Sequence, residues 1–361
     1  MAVTAGAEGE VAELTTAQVN LAKIVKSDVN KDGSCDVNDV SEVLRAAIGI
    51  NAAGDAYDID SNGYTSTEDA LALLKHLSGI EKLVSDEELL DIVNEKLNGV
   101  KTEMPGFSRY STAKCTSMKV TQKFTAVGTM ENILNMALAE MNYTDLEYDQ
   151  YCQKMVEQLE KSKKSIETDK SLTAAQKEKE IAELDEQIAA MKESGATYKN
   201  PEIESASIEP LDEAGHRNKF PRDRIAEYSS ELAITDIKAI TYSVNNGAIT
   251  FTVAMNNTSY NNATYPTTSS GLVNIPYGKA FNLPFLRGKT GSTLTKAEYK
   301  NGIIAVTVDK ETQAITKAVY SYNYYSDVKA PTTNMAYNSQ ISVNVDMATK
   351  MSGNVNETFT F

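Results

Sequence analysis

The chain has 361 residues, 35 of them basic and 50 acidic, for a formal charge of −15. That balance argues against a nucleic-acid partner, whose phosphates are held by clustered Lys and Arg. Two histidines leave little room for a His-rich zinc site, and three scattered cysteines make no CxxC pair and no disulfide scaffold. No run of about 18 apolar residues is present to span a membrane.

From the N-terminus, residues 1–15 read as a disordered tail, whose small residues also suit the remnant of a cleaved leader. Thr16–Ser27 has the pattern of an entering helix. A repeat then appears with an offset of thirty residues. The first copy carries Asp28, Asn30, Asp32, Gly33, Ser34, Asp36 and Asp39. The second carries Asp58, Asp60, Asn62, Gly63, Tyr64, Ser66 and Asp69. In a twelve-residue loop these are positions 1, 3, 5, 6, 7, 9 and 12. Ca²⁺ takes six to eight oxygens at about 2.3–2.6 Å, and such a loop supplies them. Side chains serve at 1, 3 and 5, the carbonyls of Ser34 and Tyr64 at 7, Asp36 and Ser66 at 9 directly or through water, and a carboxylate at 12. Glycine at position 6 answers a sharp turn. Two Ca²⁺ ions are expected. A pair of Asx-rich turns that bind nothing is the plain alternative, and duplication in register argues against it.

Helices follow both loops. Val40, Val43, Leu44, Ala47 and Ile48 recur at helical spacing, as do Ala70, Leu73, Leu74 and Leu77. Each run ends in Gly-Ile, at Gly49 and Gly79, which suits a left-handed C-cap.

Duplicated Dx[ND]x[DN]G loops, each followed by one helix ending in Gly-hydrophobic, resemble type I dockerin modules. The resemblance covers about residues 20–82. It implies a secreted, cell-surface protein that docks onto a cohesin domain of a scaffoldin, as in a cellulosome. Recognition in that family uses loop positions 10 and 11 and a basic residue in the following helix. Here these are Val37, Asn38 and Arg45, then Thr67, Glu68 and Lys75. The copies differ at positions 10 and 11, which puts a two-fold docking mode in doubt. Cys35, at position 8, reads as a small buried hydrophobe.

The rest of the chain differs. Ser85 and Glu88 form a capping box opening a helix expected to stop near Asn98-Gly99. A break at Thr102–Gly106 precedes a long strand from Phe107 to about Phe124. A short helix covers Met130–Leu138. A helical hairpin at about 145–194 follows, with Tyr148, Cys152, Met155, Leu159 and Ile166 on one seam and Ile181, Leu184, Ile188 and Met191 on the other. It reads as a prop or a docking arm. Residues 196–232 are loop-rich and hold His216. Strands then alternate at 237–244 and 248–254 around Asn245-Asn246-Gly247, at 303–309, at 314–324, and finally at Gln340–Ala348 and Gly353–Phe361. Short stretches at 100–107 and 308–315 resemble a domain of secreted and surface proteins of gut Clostridia, which implies location rather than activity.

The expected fold is α+β. A small all-α dockerin/EF-hand-like module at 16–83 precedes a helix-plus-antiparallel-sheet domain at 85–361, with the hairpin as an insertion. For function, an enzyme is not expected. No GxSxG, HExxH or P-loop is present, and tryptophan, the foremost sugar-stacking residue, is absent. Dockerin proteins are often polysaccharide-degrading, so that class stays as an alternative, with polysaccharide as a further partner. A carbohydrate-binding or adhesive surface protein with purely structural calcium loops is another. Its candidate platform is Tyr320, Tyr322 and Tyr324, which share one face of a strand. A core ladder of the same tyrosines is the competing reading.

Overall fold

The computed structural model describes residues 14–103, 106–208, 230–245, 247–261, 293–336 and 340–361. Its helices are α1 (Thr16–Lys26), α2 (Val37–Ala47), α3 (Thr67–Leu77), α4 (Asp86–Glu103), α5 (Glu131–Leu138), α6 (Tyr148–Thr168) and α7 (Ala174–Thr197). Its strands are β1 (Phe107–Gly128), β2 (Tyr143–Glu147), β3 (Glu202–Ile208), β4 (Ile237–Asn245), β5 (Ala248–Met255), β6 (Thr258–Asn261), β7 (Thr293–Asp309), β8 (Ile315–Lys329), β9 (Thr333–Ala336) and β10 (Ile341–Thr360). Helices plus one large antiparallel sheet make the chain α+β. The His216 segment lies outside the described residues, as do Met104–Pro105 in the middle of the expected break, whose first residues, Thr102 and Glu103, are still in α4.

The sheet runs β2-β1-β10-β8-β7-β5-β4, with β3, β6 and β9 pairing on β1, β7 and β10. β1 and β10 are 22 and 20 residues long and pair along their whole length. The two separate final strands expected at 340–348 and 353–361 are therefore one. β7 likewise starts at Thr293, ten residues before the expected strand. Burial alternates along β5 and along β8 from Ala318 on, as a sheet with one covered face requires.

Capping explains several helix starts. Ser85 Oγ accepts the Glu88 N–H at 3.2 Å and Glu88 Oε2 accepts the Ser85 N–H at 2.8 Å, opening α4. Thr15 and Gln18 close the same box on α1, so Thr15 is structured rather than part of a tail. Thr173 and Gln176 do so on α7. α4 does not stop at Asn98-Gly99. Asn98 exchanges hydrogen bonds with the Ser230 backbone, and Asn94 bonds Leu232 N–H and C=O and the Ser230 hydroxyl. Asn98, expected at the helix stop, and Asn94 instead tie the helix to the chain entering β4.

The main core is one contiguous cluster of α1, α4, the hairpin base and the covered face of the sheet. Leu21 and Ile24 of α1 are fully buried within it, so α1 shares the sheet's core although the repeat groups it with the loops. A second, small cluster holds Val40, Val43, Ile59, Ala70 and Leu73 between α2 and α3, and Leu83 packs against both clusters. The hairpin is anchored at its base. Tyr148, Tyr151 and Cys152 are buried, and the Tyr151 hydroxyl donates to Gln122 Oε1 at 3.1 Å. Beyond that base α6 and α7 project mostly exposed. No described helix is long and apolar enough to cross a membrane.

Candidate metal centre

The loops preceding α2 and α3 share one set of hydrogen bonds at positions 1, 3, 5 and 12. Position 1 accepts the N–H of position 6, at 3.1 Å for Asp28 and Gly33 and 3.0 Å for Asp58 and Gly63. Position 3 accepts the N–H of position 5, from Asp32 to Asn30 and from Asn62 to Asp60. Position 5 accepts from position 7, from Ser34 and Tyr64. Position 12 accepts the N–H of position 9 at 2.7 Å in both, from Asp36 to Asp39 and from Ser66 to Asp69. Its other oxygen holds the start of the loop, through Asn30 N–H in one and Ile59 and Asp60 N–H in the other. Positions 4 and 6 are left-handed in both: Lys31 and Gly33, then Ser61 and Gly63. Only the glycines adopt that conformation without steric cost.

Asp36 and Ser66 also serve as N-caps of α2 and α3, with Asp39 and Asp69 at N3 of the same capping boxes. That second duty was readable as D-x-x-D and S-x-x-D. Both helices end in Schellman caps, with Ile50 N–H to Arg45 C=O at 2.8 Å and Ile80 N–H to Lys75 C=O at 2.9 Å.

Asp28, Asp39, Asp58 and Asp69 are buried, while Asn30, Asp32, Ser34, Asp60, Asn62 and Tyr64 are exposed. One ligand oxygen each from Asp58, Asp60 and Asp69 lies within 4.8 Å of the others. Partial desolvation, then the neighbouring Asp69 and Asp58 charges, push the Asp60 carboxyl above its ordinary value. Asp28 is 3 % exposed, and its Oδ1 is buried with no hydrogen-bond partner. An orphaned carboxylate oxygen costs free energy unless something cationic meets it. Hard oxygen donors and carboxylates are what Ca²⁺ prefers, so the residues present fit that ion. The Cys35 thiol packs against the small core, and burial, with the Asp39, Asp28 and Asp36 carboxylates, pushes it up to about 11.

The six expected recognition residues lie along α2 and α3. Val37, Asn38, Arg45, Thr67 and Glu68 are exposed and Lys75 is half-buried. Arg45 pairs with Glu42 at 3.1 Å and Lys75 with Glu81 at 2.8 Å. Glu68 and Lys75 line a cleft of about 420 Å³ with Lys23 and Leu83. The apolar stripes split. Val40, Val43, Ala70 and Leu73 face the small core, whereas Leu44, Ile48, Leu74 and Leu77 face outward.

The tyrosine platform is corrected. Tyr320, Tyr322 and Tyr324 are 1, 2 and 9 % exposed, on the covered face of β8. Tyr320 meets Phe359 edge-on and Tyr322 meets Tyr299, so no sugar ring can reach them. Two contacts absent from the sequence reading tie the loops to the sheet. Lys310, after β7, pairs with Asp28. The His76 ring of α3 stacks on Tyr242 of β4, with Nε2 and the hydroxyl 2.9 Å apart. No sequence signal pairs residues so far apart.

No family model matches the chain, and no curated protein or solved structure does.

Proposed function

We propose that loops 28–39 and 58–69 each bind one Ca²⁺, and that the α2–α3 pair they brace is a docking module of a secreted, non-catalytic surface protein. The observation that carries the reading is the shared set of side-chain-to-backbone bonds at positions 1, 3, 5 and 12 of the two loops, with the buried Asp28 Oδ1 left without a partner. Asp28, Asn30, Asp32, the Ser34 carbonyl, Asp36 and Asp39 would hold one ion. Asp58, Asp60, Asn62, the Tyr64 carbonyl, Ser66 and Asp69 would hold the other. The bound ions would supply charge neutralisation and rigidity.

The docking part rests on the outward face of α2 and α3. Val37, Leu44, Ile48, Leu71, Leu74 and Leu77 are exposed together with the polar recognition positions, and exposed apolar faces mark interaction surfaces. A cohesin domain of a scaffoldin is the partner this dockerin-like arrangement suits. The α+β remainder would be the displayed cargo.

Calorimetry of the full chain in chelator-stripped buffer should give two Ca²⁺ per chain. Asp28→Ala combined with Asp58→Ala should weaken binding at least about 100-fold, since each removes a loop's first carboxylate. Absence of calcium heat from the unmodified chain overturns the metal reading. Cohesin domains from the source organism should capture the chain with calcium and release it with chelator. Capture that ignores chelator, or none at all, overturns the docking reading.

A further inference from the structure

The two loops share most of their internal bonds but differ at the first carboxylate and in what surrounds it. Loop 28–39 faces the turn between β7 and β8. There Lys310 forms an ion pair with Asp28 Oδ2, the oxygen that also accepts the Gly33 N–H. The two side chains are 12 and 1 % exposed. In loop 58–69 both oxygens of the equivalent Asp58 are used by backbone N–H groups of Asn62 and Gly63. The nearby Lys26 donates instead to the Asp58 carbonyl, at 3.1 Å.

Lys310 is held by a stiff turn. Its N–H donates to the Gly247 carbonyl at 2.9 Å. Asp309 Oδ1 accepts the N–H groups of Glu311 and Thr312, and the Gln313 N–H returns to the Asp309 carbonyl at 2.9 Å. The ammonium is thus presented to Asp28 by the sheet. A divalent cation entering loop 28–39 meets a positive charge already sharing its first ligand. Like charges at such range repel strongly where water is largely excluded, and affinity in these loops follows the net charge of the ligand set.

We propose that Lys310 is a built-in competing cation that sets the calcium affinity of loop 28–39. This rests on the calcium reading above. The loops then fill in order, 58–69 first. Filling loop 28–39 releases Lys310 and loosens the β7–β8 turn from the module. Calcium level would thereby control how firmly the α2–α3 pair is held against the sheet.

Calorimetry of the full chain with CaCl₂ should show two steps of unequal affinity. Lys310→Gln should tighten the weaker step by about tenfold, as expected for removing one adjacent like charge, and leave the stronger step unchanged. Lys310→Arg, which keeps the charge, should behave as the unmodified chain. In the unmodified chain, hydrogen–deuterium exchange of a peptide spanning 305–315 should rise only after the second step. Equal affinities for the two loops, a weaker step unmoved by Lys310→Gln, equal tightening by Gln and Arg, or exchange indifferent to calcium would each overturn the proposal while leaving calcium binding intact. No calcium binding by any of the chains would overturn the metal reading, and this proposal with it.

Discussion

Asp39 and Asp69 each carry two duties on one pair of oxygens. Each closes a capping box at its helix and pins the start of its loop. An aspartate at position 12 is short enough to stay at N3 while its second oxygen reaches back. The residue spacing was legible because it is local: twelve positions, repeated once, in register. Cys35 shows the same locality. Burial beside the Asp39, Asp28 and Asp36 carboxylates raises its thiol to about 11. A thiolate is the reactive form, so Cys35 should alkylate at neutral pH roughly 100-fold or more slowly than free cysteine, and at the free rate in denaturant. Peptide mapping after timed alkylation measures this, and fast labelling of the folded chain would contradict the burial. The tyrosines of β8 were less legible, because alternation places them on one face without saying which face is covered.

At the scale of elements, the weak alternation of β1 has a cause. A bulge between Cys115 and Ser117 breaks its register with β10. Phe107 and Ser111 are buried before it, and Met118, Val120 and Gln122 after it, so the buried set changes from odd to even positions. An inserted residue reverses the phase of every later side chain, which blurs a period-two reading. Gly353 is a different case, expected as the start of a separate strand and found in the middle of a continuous one. It pairs with Tyr324 across the ladder. A Cβ there would lie 2.2 Å from the Lys114 carbonyl oxygen and 2.6 Å from the Tyr324 hydroxyl oxygen. The tyrosine ring fills the space that the glycine leaves. Gly353→Ala should therefore destabilise the fold by about 1–3 kcal/mol, as overpacking does. Denaturant unfolding that shows no change would mean that the ring and backbone can yield.

Across the whole molecule, the loops and the sheet are joined by pairs far apart in sequence. His76 Nδ1 accepts the Leu83 N–H at 3.3 Å, so a proton belongs on Nε2, facing the Tyr242 hydroxyl. Burial lowers the His76 pKa below its ordinary 6.5. The folded state therefore prefers the neutral ring, and the unfolded state binds the extra proton first. His76 contributes stability that is fully present above about pH 6.5 and lost as pH falls through its lowered folded value. Melting temperatures from pH 7.5 to 5 should fall less steeply for His76→Phe than for the unmodified chain. Identical slopes would remove His76 from the pH response.

The sequence by itself determined the two loops, their helices and caps, the hairpin and strands β1, β4, β5 and β8, since each rests on contacts within one turn, one loop or one period, but not β2, β3, β6 or β9. Only the tertiary structure decided that α1 belongs to the core of the sheet, that the β8 tyrosines are interior, and that α4 runs past Asn98. It alone brings Lys310 to Asp28 across 282 residues of chain. Local pattern records what a segment can bury or bind. What it meets depends on the folding of the whole chain.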